Sequence, residues 1–516
     1  MFIHLLLVSS LCVSVYSLGL NRGVYDCGTC VFSLQHMIDT DPSKYPSHSI
    51  SESFSSACDS LFGTTDYCKQ FNMNYDTSAL KVSSTARAAC EELGACFPGE
   101  KELWKQADAT SDIDIRVAKV HGPRGYDKIR VSAISNETIN SELFSYSQPF
   151  KYRWTSNTLN TGVLSVTPGQ KTSITIQDQT FEIYVPEENS PVRGALFADP
   201  CYANDYVWCT YRDTFNTFNR STELLNAISA HGDTDFWMLL GDNFYDQTGE
   251  ITANWFNALS SKTKSMVYGT VPGNHDFWIM SAPLVWMPKQ DQLGNGFMQW
   301  NGQDVASSVY SDGGVLTEAY DFSNDPDDPN GDAHNLPPAG DFFWYYKLGN
   351  VGFIAYSGGH SYEEMLPYFE ESCEFMTSAD PEAVLLLGHW NSPGLGCPKD
   401  MFVPATYHEI LSLPACAPIA DRMKYFMGHE HCNKVVEKDV GFMIAGQGMT
   451  ASLPCGGNFG FPVVDTYGGN FTVYFFDIAQ VDEYDNYDSI IDCITQYGVS
   501  SCYHLATVWT DIPFAQ

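Results

Sequence analysis

Phe236-Trp237-Met238-Leu239-Leu240-Gly241-Asp242-Asn243-Phe244-Tyr245 decides how the second half of the chain reads. Its first five residues are apolar with no polar face, which marks a strand buried on both sides. A glycine then opens a polar block, so the strand stops at a tight turn and delivers an acid and a phenol to one place. The pairing of apolar run and polar block recurs outward in both directions. Ala195–Ala198 leads into Asp199-Pro200-Cys201, and Met266–Val271 into Gly273-Asn274-His275-Asp276. Ala383–Leu387 leads into Gly388-His389-Trp390, and Lys424–Met427 into Gly428-His429-Glu430-His431. Val351–Tyr356 and Phe442–Ala445 are further runs of the same kind, and Phe342–Tyr356 reads as a hairpin turning at Gly349-Asn350. Such runs predict an α/β core over about 193–480, a sheet covered by helices, whose blocks project from one edge.

The blocks supply Asp199, Asp242, Tyr245, Asn274, His389, His429 and His431, with His275 as a spare imidazole. A lone histidine is usually a satisfied structural residue, and each block alone is weak. Five in order, each after a strand, point to convergence on metal ions, and the donor set is that of a two-metal phosphoester hydrolase. A carboxylate has two oxygens, so Asp242 can bridge a pair of cations.

The rest of the chain bounds this reading. Its 516 residues allow two or three domains. The formal net charge of -35 argues against a nucleic-acid binder, whose footprint is basic. Met1–Ser17 reads as a secretory signal, with an apolar stretch too short to span a bilayer and small residues before the cleavage point. Cys12 leaves with that signal, so 15 of the 16 cysteines remain, a density that fits an oxidising compartment and leaves one thiol over. Sequons at Asn136, Asn219 and Asn470 agree with secretory passage and N-glycans. Residues 22–98 carry six cysteines among amphipathic helical patterns, and 110–190 alternates like the half-buried strands of a small β-rich domain. Asp321–Pro338 reads as a solvated acidic loop, and 481–516 as a packing tail with a local Cys493–Cys502 disulfide.

Over about 193–478 the ordered blocks resemble the calcineurin-like metallophosphoesterase superfamily. Many of its members carry Asp-x-His in the first block, where this chain has Asp199-Pro200-Cys201; Tyr245, three residues after Asp242, is instead the mark of purple acid phosphatases of the tartrate-resistant type. The resemblance implies a four-layer α/β/β/α core of two packed sheets, preceded by the all-α and β modules. It implies one metal held by Asp199, Asp242, Tyr245 and His431, suited to Fe3+ because a phenolate is a hard anionic ligand. It implies a second metal, Fe2+, Zn2+ or Mn2+, held by Asp242, Asn274, His389 and His429. His275 is then the candidate general acid and Asp276 its orienter, or that of a metal-bound histidine. The implied activity is acid hydrolysis of phosphomonoesters by metal-bound hydroxide in a secreted, lysosomal or acidic vacuolar setting.

The cysteine spacing of residues 22–98 resembles a saposin B-type domain. That resemblance implies the pairs Cys27–Cys96, Cys30–Cys90 and Cys58–Cys68, and contact with a lipid or membrane surface. Two other functions stand beside the leading one: a sphingomyelinase-like phosphodiesterase of phospholipid head groups, favoured by domain order but not by the missing Asp-x-His, and a catalytically inert lipid-binding protein. Near the blocks, Cys201 is expected in a disulfide with Cys209 rather than as a thiolate ligand, Cys432 and Cys397 in disulfides, and His360 at the surface.

Overall fold

A computed structural model describes residues 113–135, 138–149, 157–202, 217–245, 250–277, 338–392, 401–445, 458–480 and 483–514, with isolated positions elsewhere. The signal, the Asn136 sequon, Cys209, Cys397 and nearly all of the acidic loop lie outside the described residues. The chain divides into two compact units. The first is Met1–Trp104 with Ala203–Trp208 and Pro283–Pro288. Within it Cys30, Phe54, Cys58 and Cys90 are buried helical positions, and Cys30 is bonded to Cys90 as expected. Cys58 is also in a disulfide; Cys27, Cys68 and Cys96, and with them the other two expected pairs, lie outside the described residues.

The second unit is built on two sheets. The larger contains β1 (Asp114–Lys119), β2 (Lys128–Ser135), β3 (Tyr146–Pro149), β4 (Thr158–Ser165), β7 (Arg193–Phe197), β8 (Phe236–Leu240), β9 (Val267–Val271), β16 (Asn458–Asp465), β17 (Asn470–Gln480), β18 (Tyr484–Asp485) and β19 (Thr507–Pro513). Its order is β18-β17-β16-β7-β8-β9-β1-β2-β4-β3, with β19 also on β17. The smaller has β10 (Trp344–Leu348), β11 (Val351–Ala355), β12 (Ala383–Leu387), β13 (Met423–Met427), β14 (Lys434–Glu437) and β15 (Gly441–Met443), in the order β10-β11-β12-β13-β15-β14. β5 (Lys171–Ile176) and β6 (Gln179–Tyr184) form a separate hairpin.

The strands expected as a separate β-rich domain over 110–190 are therefore largely part of the main sheet. β1 runs parallel to β9 with Val117 opposite Val267, and β2, β4 and β3 continue outward from it. Their alternating pattern is that of half-buried strands anywhere, and only long-range pairing decides which sheet they join. Likewise the tail contributes β19 to the sheet, and the Cys493–Cys502 disulfide closes its helix Tyr487–Tyr497 onto the turn before β19.

Side-chain alternation stacks the two sheets. Leu196, Met238, Leu240 and Val117 from the larger share one core with Trp344, Phe353, Leu385, Leu387 and Phe426 from the smaller. The other face of the smaller sheet, through Ile354, Tyr356, Leu386 and Tyr425, packs on the helices Tyr362–Ala379 and Val403–Ile410. On the outer face of the larger sheet, Trp237 and Phe244 pack on Trp255 and Phe256 of the helix Glu250–Ala258. The hairpin turns where expected: Leu348 faces Val351 across Gly349-Asn350. A Cys373–Cys416 disulfide ties the helix Tyr362–Ala379 to the segment before β13, a pairing across 43 residues that spacing alone does not suggest. β7, β8 and β9 are parallel neighbours, as are β12 and β13, so five strand ends point the same way within their sheets.

Candidate metal centre

All seven predicted donors follow those five strand ends. Asp199 comes two residues after β7, Asp242 and Tyr245 after β8, Asn274 after β9, His389 after β12, and His429 and His431 after β13. Asp199, Asp242 and His431 offer ligand atoms that lie mutually within 4.8 Å, and so do Asp242, His389 and His429. Tyr245 Oη is 2.5 Å from His431 Nε2 and 3.4 Å from Asp199 Oδ1. His431 Nε2 is 3.4 Å from the same Asp199 oxygen. On the other side, His389 Nε2 lies 3.3 Å from Asp242 Oδ2, 3.3 Å from Asn274 Oδ1 and 3.3 Å from His429 Nδ1. Asp242 belongs to both groups. Asp199, Asp242, Asn274 and His389 are at most 4% exposed, whereas His429 and His431 are partly open to solvent.

The backbone is bent hard to bring these side chains together. Asp199, Asp242, Phe244, Tyr245, His429 and His431 all have positive φ, between 51° and 77°. Each such residue costs on the order of 1 kcal/mol or more, and strain gathered at one point is the mark of a site rather than of a scaffold. Phe244 helps hold it: its ring is fully buried against Trp255 at 4.8 Å and Tyr202 at 5.7 Å, a burial worth roughly 2–3 kcal/mol. Gly241 has φ +85°, and a Cβ there would sit 2.5 Å from His389 Nδ1. A Cβ on Gly273 would lie 2.2 Å from Asp242 Oδ1, so both positions admit only hydrogen at the point where loops cross.

Hydrogen bonds then aim the donors. His389 Nδ1 is 2.8 Å from the Leu240 carbonyl, which can only accept, so Nδ1 carries a proton and Nε2 is the ring atom turned to Asp242. Asp242 Oδ1 accepts from the His275 N–H at 2.8 Å, and Asp199 accepts from the His429 N–H through both oxygens, at 3.2 and 3.0 Å. Asp276 does not orient an imidazole as expected. Its carboxylate accepts from the Gly273 N–H at 2.7 Å, the Asn243 side chain at 2.9 Å and the Asn243 N–H at 3.2 Å. It therefore clamps the loop carrying Asp242 and Tyr245 to the turn carrying Asn274 and His275. Asn243 completes the clamp through Val271 O and Thr270 Oγ1, at 3.2 and 3.0 Å.

Burial and mutual charge set the electrostatics of the cluster. Burial opposes ionisation of Asp242, yet the His389 and His275 imidazoles outweigh it and hold the carboxyl well below its usual range. Burial works against a charged His389 too, and the Asp242 and Asp199 carboxylates raise it to about 9. His429 is depressed to about 4 by burial and the neighbouring His389 charge. Tyr245 is driven well above its ordinary value by burial and by the charges of Asp199 and Asp242. Lone pairs of two carboxylates, three imidazoles, an amide and a phenol converge in a low-dielectric space, where a cation is the group that satisfies them together. The residues fit a pair of metal ions.

Residues 198–433 match the family model described as calcineurin-like phosphoesterase. This part of the chain is a calcineurin-like metallophosphoesterase domain. Its fold implies a dinuclear metal centre. Among solved structures the chain is similar to a purple acid phosphatase from yellow lupin (Lupinus luteus) seeds, with 15% identity over 72% of this chain and 73% of that one and a TM-score of 0.47. It is also similar to a single mutant of Vps29 from Entamoeba histolytica, with 11% identity over 63% of this chain and 100% of that one and a TM-score of 0.23. No curated protein matches it.

His275 lies beside the donors, its Nε2 3.8 Å from Asp242 Oδ2 and its ring 4.4 Å from that of Tyr245. Cys201 and Cys432 are both in disulfides, whose partners lie outside the described residues, so neither offers a thiolate. Cys201 also bridges to Phe244, tying the first block to the second. His360 is not a surface histidine: it is 3% exposed and packs 5.4 Å from the Phe342 ring. At the rim, Asn391 donates to Glu430 at 3.0 Å and joins the loops of His389 and His429. Asn243 and Thr270 were not singled out from sequence; the one available signal was that Asn243 stands between Asp242 and Phe244 in a block already marked as functional.

Proposed function

We propose that the chain is a metal-dependent acid phosphatase of the purple acid type, acting on phosphomonoesters in an acidic secretory, lysosomal or vacuolar lumen. Asp199, Asp242, Tyr245 and His431 would hold Fe3+, and Asp242, Asn274, His389 and His429 would hold Fe2+, Zn2+ or Mn2+. When bound, the two cations supply an acidified water and neutralise the charge of the phosphoryl group. The remaining work falls to side chains. Asp242 keeps the two donor groups at a fixed separation, and the Gly273–Asp276–Asn243 clamp holds the loops that carry them. His275 donates a proton through Nε2 to the leaving alkoxide. Burial lowers its pKa, opposed by the Asp242 carboxylate, so a proton on this ring is more readily given up.

The observation that carries the reading is Tyr245 Oη, 2.5 Å from His431 Nε2 and 3.4 Å from Asp199 Oδ1. A buried phenol flanked by two carboxylates ionises only beside a strongly acidifying cation, and trivalent iron is hard enough to favour the phenolate. The disulfides favour an oxidising compartment, and the Cys30–Cys90 pair supports a saposin B-type segment over 22–98. The test is a visible spectrum. Iron-loaded wild type should carry a tyrosinate-to-iron absorption band, and Tyr245→Phe should lose it. A colourless wild type with a full iron complement rejects the assignment.

A further inference from the structure

A cavity of about 180 Å³ lies between the turn after β1 and the end of β10, with several times the share of a single water, about 30 Å³. Lys119 and Lys347 line it together with Gly122, Gly125, Tyr126 and Glu188. It is remote from the metal donors along the smaller sheet: Lys347 pairs with Gly352 near the start of β11, whereas His389 follows the end of the parallel strand β12.

Both lysines are buried, 1% and 3% exposed. Lys119 Nζ donates to the Tyr126 carbonyl and lies 4.5 Å from the centroid of the Tyr126 ring. Lys347 Nζ donates to Asn189 Oδ1 and to the Ala379 carbonyl at the end of the helix Tyr362–Ala379. These partners are dipoles, not charges, and an ammonium has three donors. Glu188 is within ion-pair reach of Lys347, at 3.9 Å, but its side chain is 51% exposed. Of the other carboxylates that act on these lysines, Asp127 and Asp380 are engaged at the surface by Lys128 at 3.0 Å and Arg422 at 2.7 Å, and the exposed Glu382 acts on Lys347 more weakly than the neighbouring Arg422 does. The cavity thus sets two buried positive charges against one solvent-facing negative charge, in a chain whose net charge is -35. Buried ammonium groups are rare and costly without a counter-charge.

We propose that this cavity is a binding site for a small oxyanion, of the chemistry shared by sulfate and inorganic phosphate, held between the ammonium groups of Lys119 and Lys347. Burial lowers Lys119 to about 8 and lowers Lys347 as well, and a bound anion would relieve that penalty. Glu188 competes with the anion for the same charges, which gives the decisive variant.

The experiment is thermal unfolding of the metal-loaded full chain with millimolar sulfate against chloride at matched ionic strength. Wild type should show a saturable rise in Tm with sulfate. Glu188→Gln should saturate at roughly tenfold less sulfate, the effect of one unit charge removed a few ångströms away in a partly solvated site. Lys119→Gln and Lys347→Gln should each lose the saturable component, while general salting effects persist in all variants. Should the lysine variants fail to fold, Glu188→Gln still decides. If its sulfate dependence equals that of wild type, or if wild type shows none beyond the chloride control, the proposal is overturned. Sulfate bound only among the metal donors would give that same unshifted result.

Discussion

Replacing Asp276 by alanine separates the clamp from the ligands it supports. The carboxylate takes the Gly273 N–H at 2.7 Å, Asn243 Nδ2 at 2.9 Å and the Asn243 N–H at 3.2 Å. Three bonds to a charged acceptor are worth roughly 1.5 kcal/mol each or more. Against them stands the cost of burying that carboxyl beside the Asp242 charge, which even with those bonds leaves it raised to about 7. The bonds and the burial cost oppose each other, so Asp276→Ala should lower global stability by only about 1–2 kcal/mol. The loops it joins carry Asp242, Tyr245, Asn274 and His275, and loss of such an outer support typically weakens metal binding by about 10- to 100-fold. The assay is metal content after equilibration with graded chelator, with Tm measured on the same samples. Asp276→Asn, which keeps one acceptor oxygen, should fall between. If Asp276→Ala retains both metals at wild-type affinity, the clamp has no bearing on the centre. If it loses them only by unfolding, its role is in the fold alone.

Gly241→Ala should disturb the centre without touching a ligand. It places a Cβ 2.5 Å from His389 Nδ1 at a φ of +85°, so turnover should drop by at least tenfold with metals bound more weakly, as read from kinetics and chelator titration. Unaltered kinetics would show that the loop relaxes freely. Asp235, half-buried just before the start of β8, is raised to about 6 chiefly by loss of solvation. A carboxyl raised above its unfolded value destabilises the fold above that pH, and the penalty is relieved as pH falls from about 6 toward 4. Asp235→Asn should therefore gain about 1–2 kcal/mol over wild type at pH 7 and nothing near pH 4, in denaturant midpoints. An equal difference at both pH values would contradict the burial argument.

The site was far more legible in the sequence than the sheet that carries it. Glycine followed by Asp242, Asn274, His389 or His429 at the end of an apolar run is a local signal, and strand end, tight turn and donor are neighbours in sequence. The hairpin at Gly349-Asn350 was legible for the same reason. What could not be read depends on distant partners. β1 through β4 alternate like any half-buried strands, and only the β1–β9 pairing shows that they extend the main sheet. The Cys373–Cys416 bond and the burial of His360 depend on how the helix Tyr362–Ala379 and Phe342 pack. Asp276 stands in the sequence as an acid beside a histidine, yet its carboxylate serves the Gly273 and Asn243 N–H groups and the Asn243 side chain, donors that only the crossing of two loops brings to it. The positive φ angles at Asp199, Asp242, Phe244, Tyr245, His429 and His431 had no sequence signal at all; all six lie in the turns that follow buried strands.

The most direct test is the metal stoichiometry of the purified chain beside that of Asp242→Ala, by elemental analysis. The account predicts two metal ions per wild-type chain, one of them iron, with both lost together when the shared carboxylate is removed. A single ion in the wild type, or a variant that keeps both, would contradict it.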